Sequence, residues 1–315
     1  MKKSAAGASD GTRRGGLLLA AKRAGVLVLG AATLGGCAKG VLQPKGPIGV
    51  ADAKILLDAV GIMSAIVVPT IVALLVIGFW FRASNTRARY QPSFVYSGRL
   101  EIIVWSIPVL VIMFLGGLTW IGAHELDPYQ PIASNSKDPP LQIQVISLDW
   151  KWLFIYPRQR IATVNELEIP AGTSVHFYLT SASVMNQFFV PQLGSMIATM
   201  NGMVTQLHLK ADQPGVYLGE SAQFSGDGFA GMMFNVRAVP QEQFAQWIGM
   251  ARQSGPALDR DTYLKLAQQS QNVRSYTYRT VEPKLFDAVV SQKLPPGPGP
   301  HGGKAAAQVR PVGGR

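Results

Sequence analysis

Two long stretches without any charged residue constrain the fold of this chain more than any other feature. They are residues 59–81 and 102–123. At about 1.5 Å per residue, a helix of either length crosses the roughly 30 Å hydrocarbon core of a bilayer. Pro69 and Pro108 lie inside the two stretches, and membrane helices tolerate proline because their neighbours satisfy the freed carbonyl. The pattern therefore predicts a transmembrane hairpin over 59–123 rather than two buried helices of a soluble protein.

The residues around the turn of this hairpin predict its orientation. Arg82, Arg87, Arg89 and Arg99 occur there with no acid among them. Short loops rich in Lys and Arg stay on the cytoplasmic side of a membrane. The hairpin is thus predicted to turn in the cytoplasm, and everything after His124 is predicted to lie outside.

The single cysteine, Cys37, follows a segment typical of a bacterial lipoprotein signal. Residues 1–36 contain basic residues, a short apolar run at 24–33 and the small pair Gly35-Gly36 directly before Cys37. This order is that of a cleaved signal peptide. We predict that Cys37 is the lipidated first residue of the mature chain, with palmitate among its acyl groups, and that residues 37–58 form an external tether. A buried structural cysteine is the alternative.

Charge is concentrated at the same end of the chain. The segment before Cys37 has six Lys and Arg against one Asp, which is +5 of the net charge of +11. The remaining positive charge forms no basic stripe interleaved with aromatic residues, the pattern of nucleic-acid-binding surfaces. Nucleic acid is therefore not an expected partner. The lipid bilayer is an expected partner because of the two uncharged stretches.

After a Pro-rich linker at 124–140, the sequence changes to short strands separated by turns. The predicted strands are 141–145, 150–156, 166–169, 174–181, 188–190, 205–209, 215–219 and 232–239. Strands of this number and length favour an all-β sandwich or barrel over 141–239.

A small helical extension is predicted over 240–291. Its helical patterns are 241–251, 259–268 and 281–290, and Asp259 is a candidate helix cap. Residues 292–315 are rich in Pro and Gly with few large apolar side chains. Such a composition cannot bury a core, so this tail is predicted to be disordered.

A Gly- and Ser-rich loop at 219–232 has the spacing of a metal loop. It resembles the loop of haem-copper oxidase subunit II, which in the cytochrome c oxidase branch reads Cys-x-Glu-x-Cys-x-x-x-His-x-x-Met and holds two coppers. Here the corresponding positions, with that of an earlier family His first, are Asn186, Ser221, Gln223, Ser225, Phe229 and Met232. Only Met232 is retained. Copper sites need thiolate and imidazole donors, so the resemblance implies a kept fold and a lost metal.

This combination resembles subunit II of a quinol oxidase of the cytochrome bo type, from the lipoprotein signal to about residue 290. The resemblance implies a cupredoxin-like Greek key over 141–239, which should then fold without metal. It also implies no cofactor in this chain, and haems and copper in a separate subunit I. The implied partners are subunit I and other small membrane subunits of the bacterial inner membrane.

The function implied is that of a non-catalytic subunit of a proton-pumping complex, which oxidises ubiquinol and reduces oxygen to water. This chain would brace subunit I with its hairpin and cap it with its periplasmic sandwich. Two alternatives remain. A copper-bearing cytochrome c oxidase subunit II needs two cysteines in the loop. A free-standing periplasmic binding lipoprotein needs no pair of spanning helices beside a lipid anchor.

Three further features have competing interpretations. Glu101 is the acid next to the cytoplasmic end of the second stretch. It is either a helix-start carboxylate paired with Arg99 or, as the resemblance implies, a group near the mouth of a proton path in subunit I. For the aromatic run 150–156, the resemblance implies a place near the electron entry point of copper-bearing relatives. Without copper, the run is expected instead to pack between the sandwich and a partner subunit. The four histidines, His124, His176, His208 and His301, are scattered without ligand spacing, so structural roles are expected.

Overall fold

The computed structural model describes residues 40–89, 91–133 and 139–299. Cys37, the predicted signal peptide and residues 300–315 lie outside the described residues.

Two long helices form the membrane hairpin. They are α1 (Pro47–Trp80) and α2 (Gly98–Glu125). Their apolar side chains point outward, and Leu75 and Phe79 are 69% and 68% exposed. Such surfaces are stable in hydrocarbon rather than in water, so the chain is a two-pass membrane protein.

The first helix begins well before the uncharged stretch, inside the predicted tether, because it is attached to the β domain. Pro47 is at its first turn, where the missing N–H of proline costs no hydrogen bond. The preceding Lys45 donates its N–H to the carbonyl of Gln192 at 2.7 Å. A Cβ on Gly46 would lie 2.2 Å from the carbonyl oxygen of Lys210. Backbone contacts this close fix the start of the membrane helix to the domain outside.

Ten strands lie between the linker and residue 239. They are β1 (Leu141–Leu148), β2 (Lys151–Tyr156), β3 (Ile161–Val164), β4 (Glu166–Pro170), β5 (Val175–Ser181), β6 (Asn186–Phe189), β7 (Ile197–Thr199), β8 (Thr205–Leu209), β9 (Gly215–Ser221) and β10 (Met233–Val239). The predicted strands are all present, and β3 and β7 are additional. These two are four and three residues long, too short to show a pattern in the sequence.

The extension beyond residue 239 mixes helices with very short strands. Its elements are α3 (Gln241–Ala251), β11 (Ala257–Leu258), α4 (Arg260–Leu266), β12 (Tyr276–Tyr278), β13 (Thr280–Val281) and α5 (Leu285–Val290). Asp259 caps α4 as predicted, since its carboxylate accepts the N–H of Thr262 at 2.8 Å. The third predicted helix is shorter than expected, because β13 occupies its first residue and pairs with β11.

The ten strands of the sandwich and β12 of the extension form two facing sheets, while β11 and β13 pair separately. The first has the order β12-β3-β2-β1-β5-β8, and the second has the order β4-β10-β9-β6-β7. Parallel pairs occur between β1 and β5 and between β10 and β4, while the other neighbours within these two sheets are antiparallel. Chain crossovers between the sheets produce the Greek-key, cupredoxin-like sandwich that the resemblance implies.

The aromatic run at 150–156 lies inside the protein, which corrects the expected contact with a partner. Trp152 and Phe154 point between the sheets, where both pack against Phe188 and Phe234. The next residues of β2 point the other way because side chains alternate along a strand, and they are covered by the extension. Both faces of β2 are therefore buried within this one chain.

The extension covers the outer face of the first sheet and forms a second core. Its members from the sheet include Ile146, Leu148, Leu153 and Ile155, and those from the extension include Leu258, Tyr263, Leu285, Phe286 and Leu294. The predicted disordered tail is wrong for residues 292–299. Leu294 is buried there, and the N–H of Gly297 donates to the carbonyl of Ala182 at 2.9 Å. A single large apolar residue and backbone hydrogen bonds are sufficient to hold this Pro-rich segment.

Candidate functional site

Three of the six positions that the resemblance maps to copper ligands are neighbours at one end of the sandwich. Asn186 begins β6, Ser221 ends β9, and Met232 directly precedes β10. The hydroxyl of Ser221 donates to the side-chain oxygen of Asn186 at 3.2 Å, and its N–H donates to the carbonyl of Met232 at 3.2 Å. All three side chains are buried. Three of the six mapped positions are therefore neighbours, Asn186 and Ser221 through their side chains and Met232 through its backbone carbonyl.

The other three positions, Gln223, Ser225 and Phe229, lie in the connection between β9 and β10. Ser225 is buried, and its hydroxyl has no hydrogen-bond partner. The carbonyl of Gln223 is an alternative acceptor for the single hydroxyl hydrogen of Ser221, at 3.3 Å. Phe229 lies in a short 3₁₀ turn and packs edge-on against the exposed Phe224, with ring centroids 5.6 Å apart. This side of the connection is aromatic, and it presents no imidazole.

The donor set does not fit copper. A dinuclear copper site needs soft thiolates and imidazoles, whereas this cluster has hydroxyls, amides and one thioether. Asn186 and Ser221 are already hydrogen-bonded to each other, so their polar atoms are satisfied without a cation. Within residues 40–89, 91–133 and 139–299, no group of three or more His, Cys, Asp or Glu side chains is placed to hold a metal ion.

Trp150 packs against the connection between β9 and β10. It follows β1 in a left-handed conformation with φ of 63°, and its indole N–H donates to the carbonyl of Ser225 at 3.1 Å. The indole packs so closely on Gly228 that a Cβ there would lie 2.4 Å from the ring. Sequence analysis identified this tryptophan only as part of an aromatic run, since its contact with residues far along the chain depends on the fold.

Glu101 lies in the first turn of α2 and is exposed. Its carboxylate forms no ion pair within 4.0 Å with Arg99 among the described residues, so the pairing expected from sequence is wrong. Side chains two residues apart on a helix point in different directions. What remains of the structural interpretation is the favourable position of an acid at a helix N-terminus.

Two of the four histidines meet, which sequence analysis missed. His176 and His208 are opposite each other in β5 and β8, and their rings stack with centroids 4.0 Å apart. The Nδ1 atom of His208 is buried without a partner. Burial and then the neighbouring His176 lower the pKa of His208 to about 4, so the buried ring is neutral at physiological pH. Strand alternation puts both residues on one face, but only the pairing register makes them neighbours.

Comparison with known proteins agrees with this fold. Residues 141–239 match the family model "Cytochrome C oxidase subunit II, periplasmic domain", and residues 252–297 match "COX Aromatic Rich Motif". The chain is 46% identical over 259 residues to the ubiquinol oxidase subunit 2 of Acetobacter aceti, covering 82% of this chain and 84% of that protein. The chain belongs to the family of quinol oxidase subunit II.

Other relatives carry the same description. The cytochrome bo(3) ubiquinol oxidase subunit 2 of Pseudomonas aeruginosa is 44% identical over 259 residues, covering 82% of this chain and 78% of that protein. The corresponding protein of Buchnera aphidicola from Schizaphis graminum is 40% identical over 269 residues, covering 85% and 92%. The aromatic-motif match extends to residue 297, so the packed segment after α5 is part of this subunit II family pattern.

Proposed function

We propose that this chain is the non-catalytic subunit II of a proton-pumping quinol oxidase, an inner-membrane complex that oxidises ubiquinol and reduces oxygen to water. The observation that carries the proposal is the cluster of Asn186, Ser221 and Met232, which keeps the place of a copper centre but lacks the thiolates and imidazoles that such a centre needs. A cytochrome c oxidase passes electrons through that centre, whereas a quinol oxidase has no need of it. The relatives named as ubiquinol oxidase subunits support the same assignment.

The partner in this proposal is subunit I, a separate chain that holds the haems and copper of the complex, together with other small membrane subunits. The outward apolar surfaces of α1 and α2 suit contact with the helices of such a protein as well as with lipid. Because the start of α1 is hydrogen-bonded to the sandwich through Lys45 and packed closely on it at Gly46, the hairpin holds the sandwich at a defined place over subunit I. The chain therefore braces and caps its partner without taking part in the chemistry.

Lipidation of Cys37 belongs to this proposal. It is supported by the signal-like segment before it, and it adds reversible membrane anchoring to two spanning helices. Mass spectrometry of the mature N-terminus checks it: acyl groups on an N-terminal Cys37 are expected, and a chain that retains Met1 contradicts it. Cys37→Ser should leave the protein in the membrane because α1 and α2 remain.

Affinity purification of the full chain from solubilised membranes tests the main proposal. We expect a large haem-containing membrane protein to co-purify, and oxygen uptake to depend on ubiquinol rather than on reduced cytochrome c. Oxygen uptake driven by cytochrome c indicates the copper-bearing alternative. Recovery of this chain alone, without haem, indicates a free-standing lipoprotein.

The absence of a copper site is tested by restoring the donors. The restored chain carries Asn186→His, Ser221→Cys, Gln223→Glu, Ser225→Cys and Phe229→His. Asn186 and Ser221 are 3.2 Å apart across their side chains, so donors at these positions converge, and we expect the restored chain to gain tightly bound copper with visible absorption. The control is the wild-type fragment of residues 139–299 beside the same fragment with the five changes, and the wild type should retain no copper after dialysis. Stoichiometric copper in the wild type contradicts the proposal.

A further inference from the structure

The connection between β9 and β10, residues 222–232, has little regular structure of its own. Its internal hydrogen bonds are short-range, such as Gly231 N–H to Gly228 carbonyl at 3.1 Å and Met232 N–H to Phe229 carbonyl at 3.0 Å. Gly226 within it has a φ of 108°, a conformation that favours glycine. A loop of this length and composition normally samples several conformations unless outside contacts hold it.

The first outside contact comes from the turn between β1 and β2. Trp150 is 5% exposed, and its indole is bonded to Ser225 and packed on Gly228. The neighbouring side chain on the opposite face of the sheet, Lys151, is only 1% exposed. The same turn therefore faces the loop on one side and the extension on the other.

The second contact comes from residues 268–273 of the extension, which we call the strap. The Lys151 ammonium donates to the carbonyl of Gln268 and to the hydroxyl of Ser270, both at 2.7 Å. The side-chain amide of Asn165 donates to the carbonyl of Val273 at 2.8 Å. The strap is thus bonded at both ends to the sandwich, although it contains no strand or helix.

Between these bonded ends the strap touches the loop. Asn272 has a left-handed backbone with φ of 52°, which turns its side chain toward Gly231. A Cβ on Gly231 would lie 2.6 Å from the side-chain oxygen of Asn272. The loop is therefore enclosed between Trp150 on one side and Asn272 on the other.

We propose that the strap, together with Trp150, holds the 222–232 loop in the path of a metal loop without any metal. A bound metal stabilises the folded arrangement of its ligands, and here that structural role is carried by an indole and by a segment of the extension. The strap residues lie within the aromatic-motif match at 252–297, so this assigns that motif a role at the loop as well as at the outer face of the first sheet.

The chemistry of Lys151 explains why the strap stays in place. Burial lowers the pKa of Lys151 to about 8 despite the opposing effect of Asp149, so at neutral pH the side chain is still a charged donor. Hydrogen bonds to charged groups are stronger than neutral ones. Replacing Lys151 removes both of these charge-assisted bonds between β2 and the strap. The strap should therefore loosen at residues 268–270 when this one side chain is lost, while Asn165 still holds Val273.

Amide hydrogen exchange on the full chain in its purified membrane complex tests the proposal. The reporters are the N–H groups of Phe229, Gly231 and Met232, and the variants are Lys151→Met and Asn272→Gly. We expect these amides to exchange at least tenfold faster in both variants. The matched control is Lys265→Met, the same replacement at an exposed position of α4, which should leave the loop unchanged.

Asn272→Gly decides the case if Lys151→Met disturbs the whole domain. Glycine adopts the left-handed backbone of residue 272 without strain, so this variant removes only the side-chain contact with Gly231. Amides in β1 and β5, away from the loop, report whether the sandwich is intact. Wild-type exchange in the loop of Asn272→Gly overturns the proposal, and so does faster exchange in the strap of Lys151→Met with the loop unaffected.

Discussion

At the scale of single residues, the core of the sandwich depends on one glycine beneath a phenyl ring. Gly219 in β9 is directly opposite Phe234 in β10, and a Cβ on Gly219 would lie 2.1 Å from that ring. The ring is itself stacked on Phe188, with centroids 5.1 Å apart, so it has no room to move. Overpacking of a filled core costs about 1–3 kcal/mol. We predict that Gly219→Ala lowers the free energy of unfolding by about this amount, as measured by denaturant unfolding.

Gly249→Ala is the matched control for this prediction. Gly249 lies inside α3, and no atom is within 4 Å of a Cβ placed there. Alanine is favoured over glycine in a helix interior by roughly 0.5–1 kcal/mol, so this variant should be neutral or slightly more stable. Equal effects from the two substitutions show that the ring contact is not what makes Gly219 necessary.

A second prediction at this scale concerns pH. The pKa of His208 is lowered to about 4 by burial and by His176, below the usual value near 6.5. Between these two values the unfolded chain binds a proton that the folded chain does not, so stability falls as pH falls through this window. His208→Phe keeps a ring in the stack and removes the titration. Thermal unfolding of residues 139–299 should therefore show a weaker acid dependence for this variant, whereas an unchanged acid dependence excludes His208 as a major contributor.

At the scale of elements, the extension is part of the domain rather than an appendage. The outward residues Ile146, Leu148, Leu153 and Ile155 are at most 3% exposed because the extension covers them. A fragment ending at residue 239 exposes this face, although the sequence pattern indicated 141–239 as the folding unit. We predict that a fragment of residues 139–299 is soluble and unfolds cooperatively without metal, and that one of residues 139–239 aggregates.

Sedimentation and thermal unfolding of the two fragments measure this difference. Adding residues 240–299 as a separate peptide should restore solubility to the shorter fragment, since the contacts are apolar and between surfaces. A shorter fragment that is monomeric and as stable as the longer one contradicts the importance of the second core.

At the scale of the whole molecule, Glu101 has either a structural or a functional role, and the turnover of the assembled complex distinguishes the two. It is exposed at the start of α2, without an ion pair to Arg99. If it collects protons for subunit I, as we propose from the family resemblance, Glu101→Ala slows oxygen reduction in the assembled complex, and Glu101→Asp recovers part of the rate. Haem content and assembly should stay at wild-type levels in both. Wild-type turnover of an assembled Glu101→Ala complex leaves only the helix-start role.

The class of this protein could be predicted from its amino-acid sequence because the strongest signals are local. The two uncharged stretches are long enough to span a bilayer, the turn between them is basic, and short strands are separated by turn residues. Each of these signals lies within one continuous segment of the chain. They predicted the hairpin, the sandwich and the cap at Asp259. The positions of the lost copper ligands came from the resemblance of one loop to a known family, and loop spacing is also a local property.

Which distant residues become neighbours could not be predicted, because it depends on how the whole chain folds. The facing of His176 and His208, the burial of the aromatic run and the packing of residues 292–299 all depend on strand register and on how the extension folds back over the first sheet. The contacts of Trp150 and Asn272 with the 222–232 loop join residues far apart in the chain. Such contacts result from the filling of a shared core, and no pattern within one segment encodes the shape of the segment that will cover it.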